Sequence, residues 1–184
     1  MAEMAGFALP TERLVLRGWR DADTADFHAI CTDRRVMEFL GPLQTREEIE
    51  GAIARQRAFQ ASHGHCFWAV ERRADGAMLG FCGIKPGPAD TPLQDRLEIG
   101  WRLRADSWGQ GYAREAAQAS LAWAFATLPD ARIWAMTVLA NERSRGLMER
   151  LGMTRHPELD FDHPALPEDS PLRAHIVYSI GRPS

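Results

Sequence analysis

The chain has 184 residues, 45% of them hydrophobic and 26% charged, which suits one globular domain spanning 1–184 and leaves too little for a second of full size. Its 22 Lys and Arg against 25 Asp and Glu leave a formal charge of -3, a balance that gives no support to nucleic acid or an acidic membrane surface as partner. Cys31, Cys66 and Cys82 form no CxxC or Cys/His ligand pattern and read as buried or free thiols; with no basic leader and no run of about 18 apolar residues, the expectation is a cytoplasmic protein without metal or membrane segment.

In chain order, RLVLRGW (Arg13 to Trp19) alternates with period two and reads as a strand. DADTADFHAICTD offers Asp and Thr caps ahead of Phe27 and Ile30 on one side, a short helix. In TREEIEGAIARQRAFQASHG, Thr45 and Glu48 make a capping box. Ile49, Ile53, Gln56 and Phe59 follow at helical spacing, and Gly64 lies just past the end. CFWAVERRADGAMLGFCGIKP holds two strands, Phe67 to Glu71 and Met78 to Lys85, joined at Asp75-Gly76 as a hairpin. After a Pro/Gly loop, LEIGWRL places Leu97, Ile99, Trp101 and Leu103 on one strand face and Glu98, Gly100 and Arg102 on the other.

Tyr112 to Leu128 is an alanine-rich helix, with Ala113, Ala117, Leu121, Ala124 and Leu128 stepping at three or four and Pro129 closing it. RIWAMTVL (Arg132 to Leu139) is nearly continuous in apolar residues, as a strand covered on both faces is. Strand, helix and buried strand make a right-handed βαβ unit. NERSRGLMERLGM is a short helix with Leu147, Met148 and Leu151 inward and Gly152 at its stop. After a Pro/Asp/His loop, LRAHIVYSI alternates as a final strand with His175 opposite Ala174 and Ile176. Trp19, Trp68 and Trp134 read as core.

The corner between LEIGWRL and the alanine-rich helix carries Gly109 and Gly111. A helix starting there presents unpaired N–H groups and a positive dipole end, and absent side chains let an anion approach. The two glycines serve equally to ease a tight turn. The Walker phosphate loop and the dinucleotide fingerprint are both excluded, since no Gly-Lys-Ser/Thr, third glycine or later ribose-binding acid follows.

EIGWRLRADSWGQGYAREAAQASLAWAF followed by NERSRGLMERLGM resembles the GNAT N-acetyltransferase superfamily, in the branch similar to the RimJ/RimL ribosomal-protein N-acetyltransferases. TERLVLRGW and the WAV…GFCGI hairpin share the likeness. The resemblance implies an α+β, three-layer fold: a mixed, mostly antiparallel sheet of about seven strands, splayed in the middle and flanked by about four helices.

It also implies acetyl-CoA as co-substrate. Its pyrophosphate would sit on the amides of Gly109, Gln110, Gly111, Tyr112, Ala113 and Arg114. Trp108 would border the corner, and the pantetheine arm would run along the strand edge at Trp101 and Leu103 toward Asn141. Asn141 reads also as an N-cap. Met148 stands where many members carry a tyrosine that acts as general acid, leaving Ser144, one turn earlier, as the substitute.

Acetyl transfer needs a neutral amine, so a base or a water chain must take a proton. Glu98 is the candidate base, with Gly100 leaving space beside it; it reads otherwise as a solvent-facing carboxylate or ion-pair partner. Asp162, His163 and His175 would border the acceptor cleft, although lone histidines are often structural. Glu98, Asp160 and Asp162 together would suit a cationic acceptor. The acceptor class expected is a small-molecule amine or a protein N-terminus, and a homodimer is left open. The rival readings are a catalytically silent acyl-CoA sensor of the same fold and a binding module without cofactor.

Overall fold

The computed structural model describes residues 6–130 and 132–183. In chain order the strands are β1 (Ala8–Pro10), β2 (Leu14–Arg17), β3 (Phe67–Arg72), β4 (Met78–Pro86), β5 (Leu97–Leu103), β6 (Arg132–Val138), β7 (Thr154–Arg155), β8 (Phe161–Asp162) and β9 (Ala174–Gly181). The helices are α1 (Asp23–Cys31), α2 (Arg34–Met37), α3 (Arg46–His63), α4 (Tyr112–Thr127) and α5 (Glu142–Arg150). The expected strands and helices all form, and the extra ones, β1, β7, β8 and α2, are two to four residues long. Segments that short carry no readable period.

The sheet runs β1-β2-β3-β4-β5-β6-β9-β7, with β8 added beside β9. Every pairing is antiparallel except β5 with β6, which is parallel and registers only Leu97 with Ile133 and Glu98 with Trp134. Beyond those rungs the two strands part, so the sheet opens at its middle.

Alternation along the strands divides the core between two faces. On one face α4 packs closely through small residues, Ser120 Oγ lying 3.7 Å from Cys82 Sγ and Trp123 standing edge-on to Trp68 at 4.9 Å. On the other face α1 brings Phe27 edge-on to Phe81, which stacks on Phe67. α3 is fixed at both ends as its sequence indicates: the Thr45–Glu48 capping box is present and Gly64 closes the helix with φ +78°. Two core expectations need correction. Trp134 is only half-buried, under the Arg96 guanidinium at 4.0 Å and beside His156. The space that Gly100 leaves is filled by the Phe67 ring, since a Cβ there would sit 2.5 Å from Phe67 Cζ.

A buried charge cluster joins α1 to the sheet. Arg17 donates from Nη1 and Nη2 to the Asp23 carboxylate, both at 2.8 Å, and from Nε to Glu71 at 2.7 Å. Burial alone would raise the Asp23 pKa, but the Arg17 side chain and the Arg20 amide outweigh it and hold the carboxyl below its ordinary value.

Removing one partner of such a cluster leaves an arginine buried without its full counter-charge. Asp23→Ala should therefore lower the unfolding free energy by about 3 kcal/mol in urea titrations at pH 7. Because the folded pKa is the lower one, the wild-type contribution is complete above about pH 4 and is lost as pH falls through the folded value. The gap between wild type and Asp23→Ala should narrow over that acid range; a gap constant with pH would remove Asp23 from the account.

Candidate active site

The opening between β5 and β6 is continuous with two clefts. The larger, of about 690 Å³, runs from the glycine corner past Trp101 and Leu103 to Asn141 and Ser144. The smaller, of about 310 Å³, lies between the α2 region and the β8–β9 edge and contains Glu98, Met148, His163 and His175. Trp101, Arg102, Asn141 and Ser144 line both, as do Phe39 and Leu40, so these residues form the junction.

At the corner, Gly109 and Gly111 take φ +73° and +83°, the left-handed region that an L side chain adopts only under strain. Gly111 is the N-cap of α4 and supplies no side-chain cap. Among the described residues, the amides from Gly109 to Arg114 donate to no acceptor within the fold. They form a row of free donors at the positive end of a helix.

The turn before β2 anchors this corner from far away in sequence. Glu115 Oε1 accepts from Thr11 Oγ1 at 2.6 Å and from the Arg13 amide at 2.8 Å, while Oε2 accepts from Arg13 Nε at 2.7 Å. Arg13 also donates to the Gln110 carbonyl at 2.9 Å. Trp108 closes the near side, donating through Nε1 to the Leu103 carbonyl, and Arg143 lies over its ring at 4.4 Å. Arg35, Arg114 and Arg150 add further cations to this cleft. The role of Arg13 carried no local signal, because its partner Glu115 is 102 positions away.

Asn141 caps α5, its Oδ1 accepting from the Ser144 amide at 3.2 Å. The Ser144 hydroxyl accepts from Trp101 Nε1 at 3.4 Å, at the junction of the clefts. Met148 is buried at 2% exposure below it.

Glu98 is buried, and its Oε2 accepts from Lys85 Nζ at 2.7 Å across the β4–β5 ladder. The carboxylate is thus an ion-pair partner inside a cleft. Its Oε1 takes no hydrogen bond among the described residues. His163 and His175 come together with ring centroids 5.0 Å apart. Burial, then the neighbouring His175 and Lys85, push the His163 pKa down and so favour its neutral ring. The β8–β9 pairing, which sets Phe161 opposite His175, makes this meeting.

Asp162 is not brought in: its side chain is 64% exposed and faces Arg173 at 3.6 Å. Asp160 is tied to Arg155 at 2.5 Å. The acidic lining expected from Glu98, Asp160 and Asp162 therefore does not assemble, because each has a cationic neighbour and only Glu98 reaches the cleft. The sequence reading missed Phe39, Leu40, Phe81, Met136 and Thr137, which supply much of the smaller cleft's wall. Their roles come from sheet register and from the short α2 segment, neither visible in local pattern.

Comparison with known proteins agrees with this architecture. An uncharacterized protein of Bacillus subtilis, YkkB, is 30% identical over 146 residues, which cover 79% of this chain and 84% of that protein. The crystal structure of an acetyltransferase from Agrobacterium tumefaciens is 28% identical and superposes with a TM-score of 0.77 over 98% of this chain and 97% of that one. The ribosomal L7/L12 alpha-N-protein acetyltransferase RimL, solved in complex with coenzyme A, is 13% identical, with a TM-score of 0.75 over 95% and 98% of the two chains; it shares the fold. The family model for the acetyltransferase (GNAT) domain matches residues 13–154. The chain belongs to the GNAT acetyltransferase family and is an acyltransferase.

Proposed function

We propose that this chain, as a single domain, transfers the acetyl group of acetyl-CoA to an amine by direct attack within a ternary complex. The observation that carries the reading is the pair of clefts meeting at Ser144 and Asn141, one ending in free helix-start amides and the other holding a buried carboxylate. The amide row and the Arg114, Arg143 and Arg150 cations fit a polyphosphate. The parted edge of β5 near Trp101 to Leu103 fits an extended arm that needs backbone partners.

In this reading the acceptor amine approaches from the smaller cleft and loses a proton to Glu98, through water. Its nitrogen then attacks the thioester carbonyl, whose oxygen is polarised by a β5 amide. The C–N bond forms as the C–S bond breaks, the departing thiolate is met by the Ser144 hydroxyl, and the acylated nitrogen gives up its remaining extra proton to water. An acetyl-enzyme is disfavoured by the thiols present. Burial pushes Cys66 and Cys82 each up to about 12 and raises Cys31 as well, so none is a thiolate near neutrality.

The overall test is a thiol-release screen with acetyl-CoA against amines and peptides. Turnover with converging double-reciprocal lines is expected; parallel lines or a trapped acetyl-cysteine would defeat direct attack. A second reading, a silent acyl-CoA sensor, is favoured by Met148 in the place of a tyrosine acid, and it requires tight acetyl-CoA binding with no turnover on any amine.

Three variants probe the parts. Gly109→Ala adds a methyl that meets nothing within 4 Å in the protein itself, so beyond about 1–2 kcal/mol of left-handed strain the fold loses little. Calorimetric affinity for acetyl-CoA should fall by roughly tenfold or more, the worth of a charge-assisted hydrogen bond to phosphate; undiminished affinity would make the corner a turn and nothing else.

Glu98→Gln keeps the shape and removes the basicity, and should cut turnover by roughly ten- to a thousandfold. Most of the loss should return at higher pH, where more amine is already neutral; a rate equal to wild type takes Glu98 out of the mechanism. His163→Ala should raise the acceptor KM and leave that of acetyl-CoA in place, whereas Asp162→Ala, outside the cleft, should change neither. The reverse ranking would show that the acceptor lies elsewhere.

A further inference from the structure

Among the described residues, Arg102 is the charged residue of the smaller cleft that meets no counter-charge. Its Nη1 donates to Cys31 Sγ at 3.1 Å and to Gln44 Oε1 at 3.2 Å. Both partners are neutral: glutamine carries no charge, and burial raises the Cys31 thiol above its ordinary pKa despite the opposing pull of Arg102. Arg102 Nε is buried without an acceptor among the described residues. Nη2 makes no hydrogen bond, and no carboxylate pairs with the guanidinium, among the described residues. Phe81 and Phe27 lie at 5.5 and 5.9 Å from it and hold it from the apolar side. A guanidinium fixed at one nitrogen and open at another is a preformed half of a charge pair.

The surroundings reinforce the sign. Glu98 is already matched by Lys85 at 2.7 Å, the two histidines bring no negative charge, and the Asp162 side chain turns out toward Arg173. The cleft is therefore net positive. Phe39, Leu40, Phe67, Phe81, Met136 and Met148 form an apolar part of its wall, beside the neutral polar groups of Thr137, Asn141 and Ser144, around a volume of about 310 Å³, the size of a small-molecule site. A polyamine would set its ammonium groups against an arginine that has no other counter-charge, which is unfavourable at low local dielectric.

We propose that Arg102 recognises a carboxylate on the acceptor, and that the acceptor is a small amine bearing that carboxylate on an apolar body, the chemical class of apolar amino acids. The inference rests on the acetyl-transfer reading above and names its substrate class. The phosphates of the co-substrate have a separate set of partners at the glycine corner, whereas Arg102 stands at the junction where the larger cleft opens into the smaller.

The test compares leucine, methionine and phenylalanine with their amides and their decarboxylated amines, and with spermidine, using acetyl-CoA as donor. The free acids should exceed the amides in kcat/KM by roughly ten- to a hundredfold, the range of a hydrogen bond to a charged group, with spermidine the poorest. Arg102→Met should bring the acid-to-amide ratio to about one with the acetyl-CoA KM within about twofold, and Arg102→Lys should retain part of the preference. Calorimetric binding of the N-acetyl acids against the N-acetyl amides to wild type reads the same preference without turnover.

Preference for amides or spermidine, or a ratio that survives in Arg102→Met, overturns the proposal. A ratio unchanged alongside a raised acetyl-CoA KM also overturns it, by assigning Arg102 to the co-substrate. Selective binding of the N-acetyl acids with no thiol release from any amine supports the anion site and defeats acetyl transfer instead.

Discussion

The parallel contact between β5 and β6 holds for two rungs and then ends. A sheet normally satisfies its backbone groups strand by strand, and a gap in its middle exposes donors and acceptors that must find partners. Both clefts exist because of that gap: the larger opens where β5 runs on to the glycine corner, and the smaller opens beneath the α2 region. Closing the strands by continued pairing would erase the junction at Trp101, Asn141 and Ser144. The site is thus a consequence of a strand pairing left incomplete.

A gap of this kind costs stability, and ties between distant parts of the chain hold the elements that border it. The Thr11, Arg13 and Glu115 hydrogen bonds clamp the start of α4 to the turn before β2. Both Glu115 and the negative end of any bound anion favour the helix start, but Glu115 points its charge into Arg13 and leaves the backbone amides clear. On the other face, Arg17 holds Asp23 and Glu71 together, which seats α1 and, through it, the wall formed by Phe39 and Leu40. These ties are long in sequence and short in space, as loop-closing contacts around a functional opening need to be.

What was legible in the sequence follows the length of the pattern. β3, β4, β5, α3 and α4 each run six residues or more, long enough for a period of 2 or 3.6 to show itself, and the caps at Thr45 and Asn141 are local chemistry. The face shared by Glu98, Gly100 and Arg102 was readable; its occupants were not. Lys85 meets Glu98, and Phe81 meets Arg102, only through the β4–β5 register. The free space assigned to Gly100 went to Phe67 for the same reason: a glycine shows that room is required without showing who takes it. The β8–β9 pairing likewise decided that His163 enters the cleft while Asp162 turns away, a distinction between neighbours that alternation could supply only once the strand itself was known.

The departure at Met148 narrows the chemistry at the junction. A methionine, buried there at 2% exposure, has no proton to donate. The hydroxyl at the junction is that of Ser144, held by the Trp101 indole on one side and seated on the first turn of α5. A serine hydroxyl is too weak an acid to deliver a proton fully to sulfur, but a thiolate leaving group with an ordinary pKa near 8.5 does not require that. It requires a hydrogen bond as charge develops, and the dipole at the start of α5 adds to one. In the proposed reading the acid role is thereby replaced by electrostatic stabilisation, and the proton released by the amine need not cross the site to the sulfur within the same step.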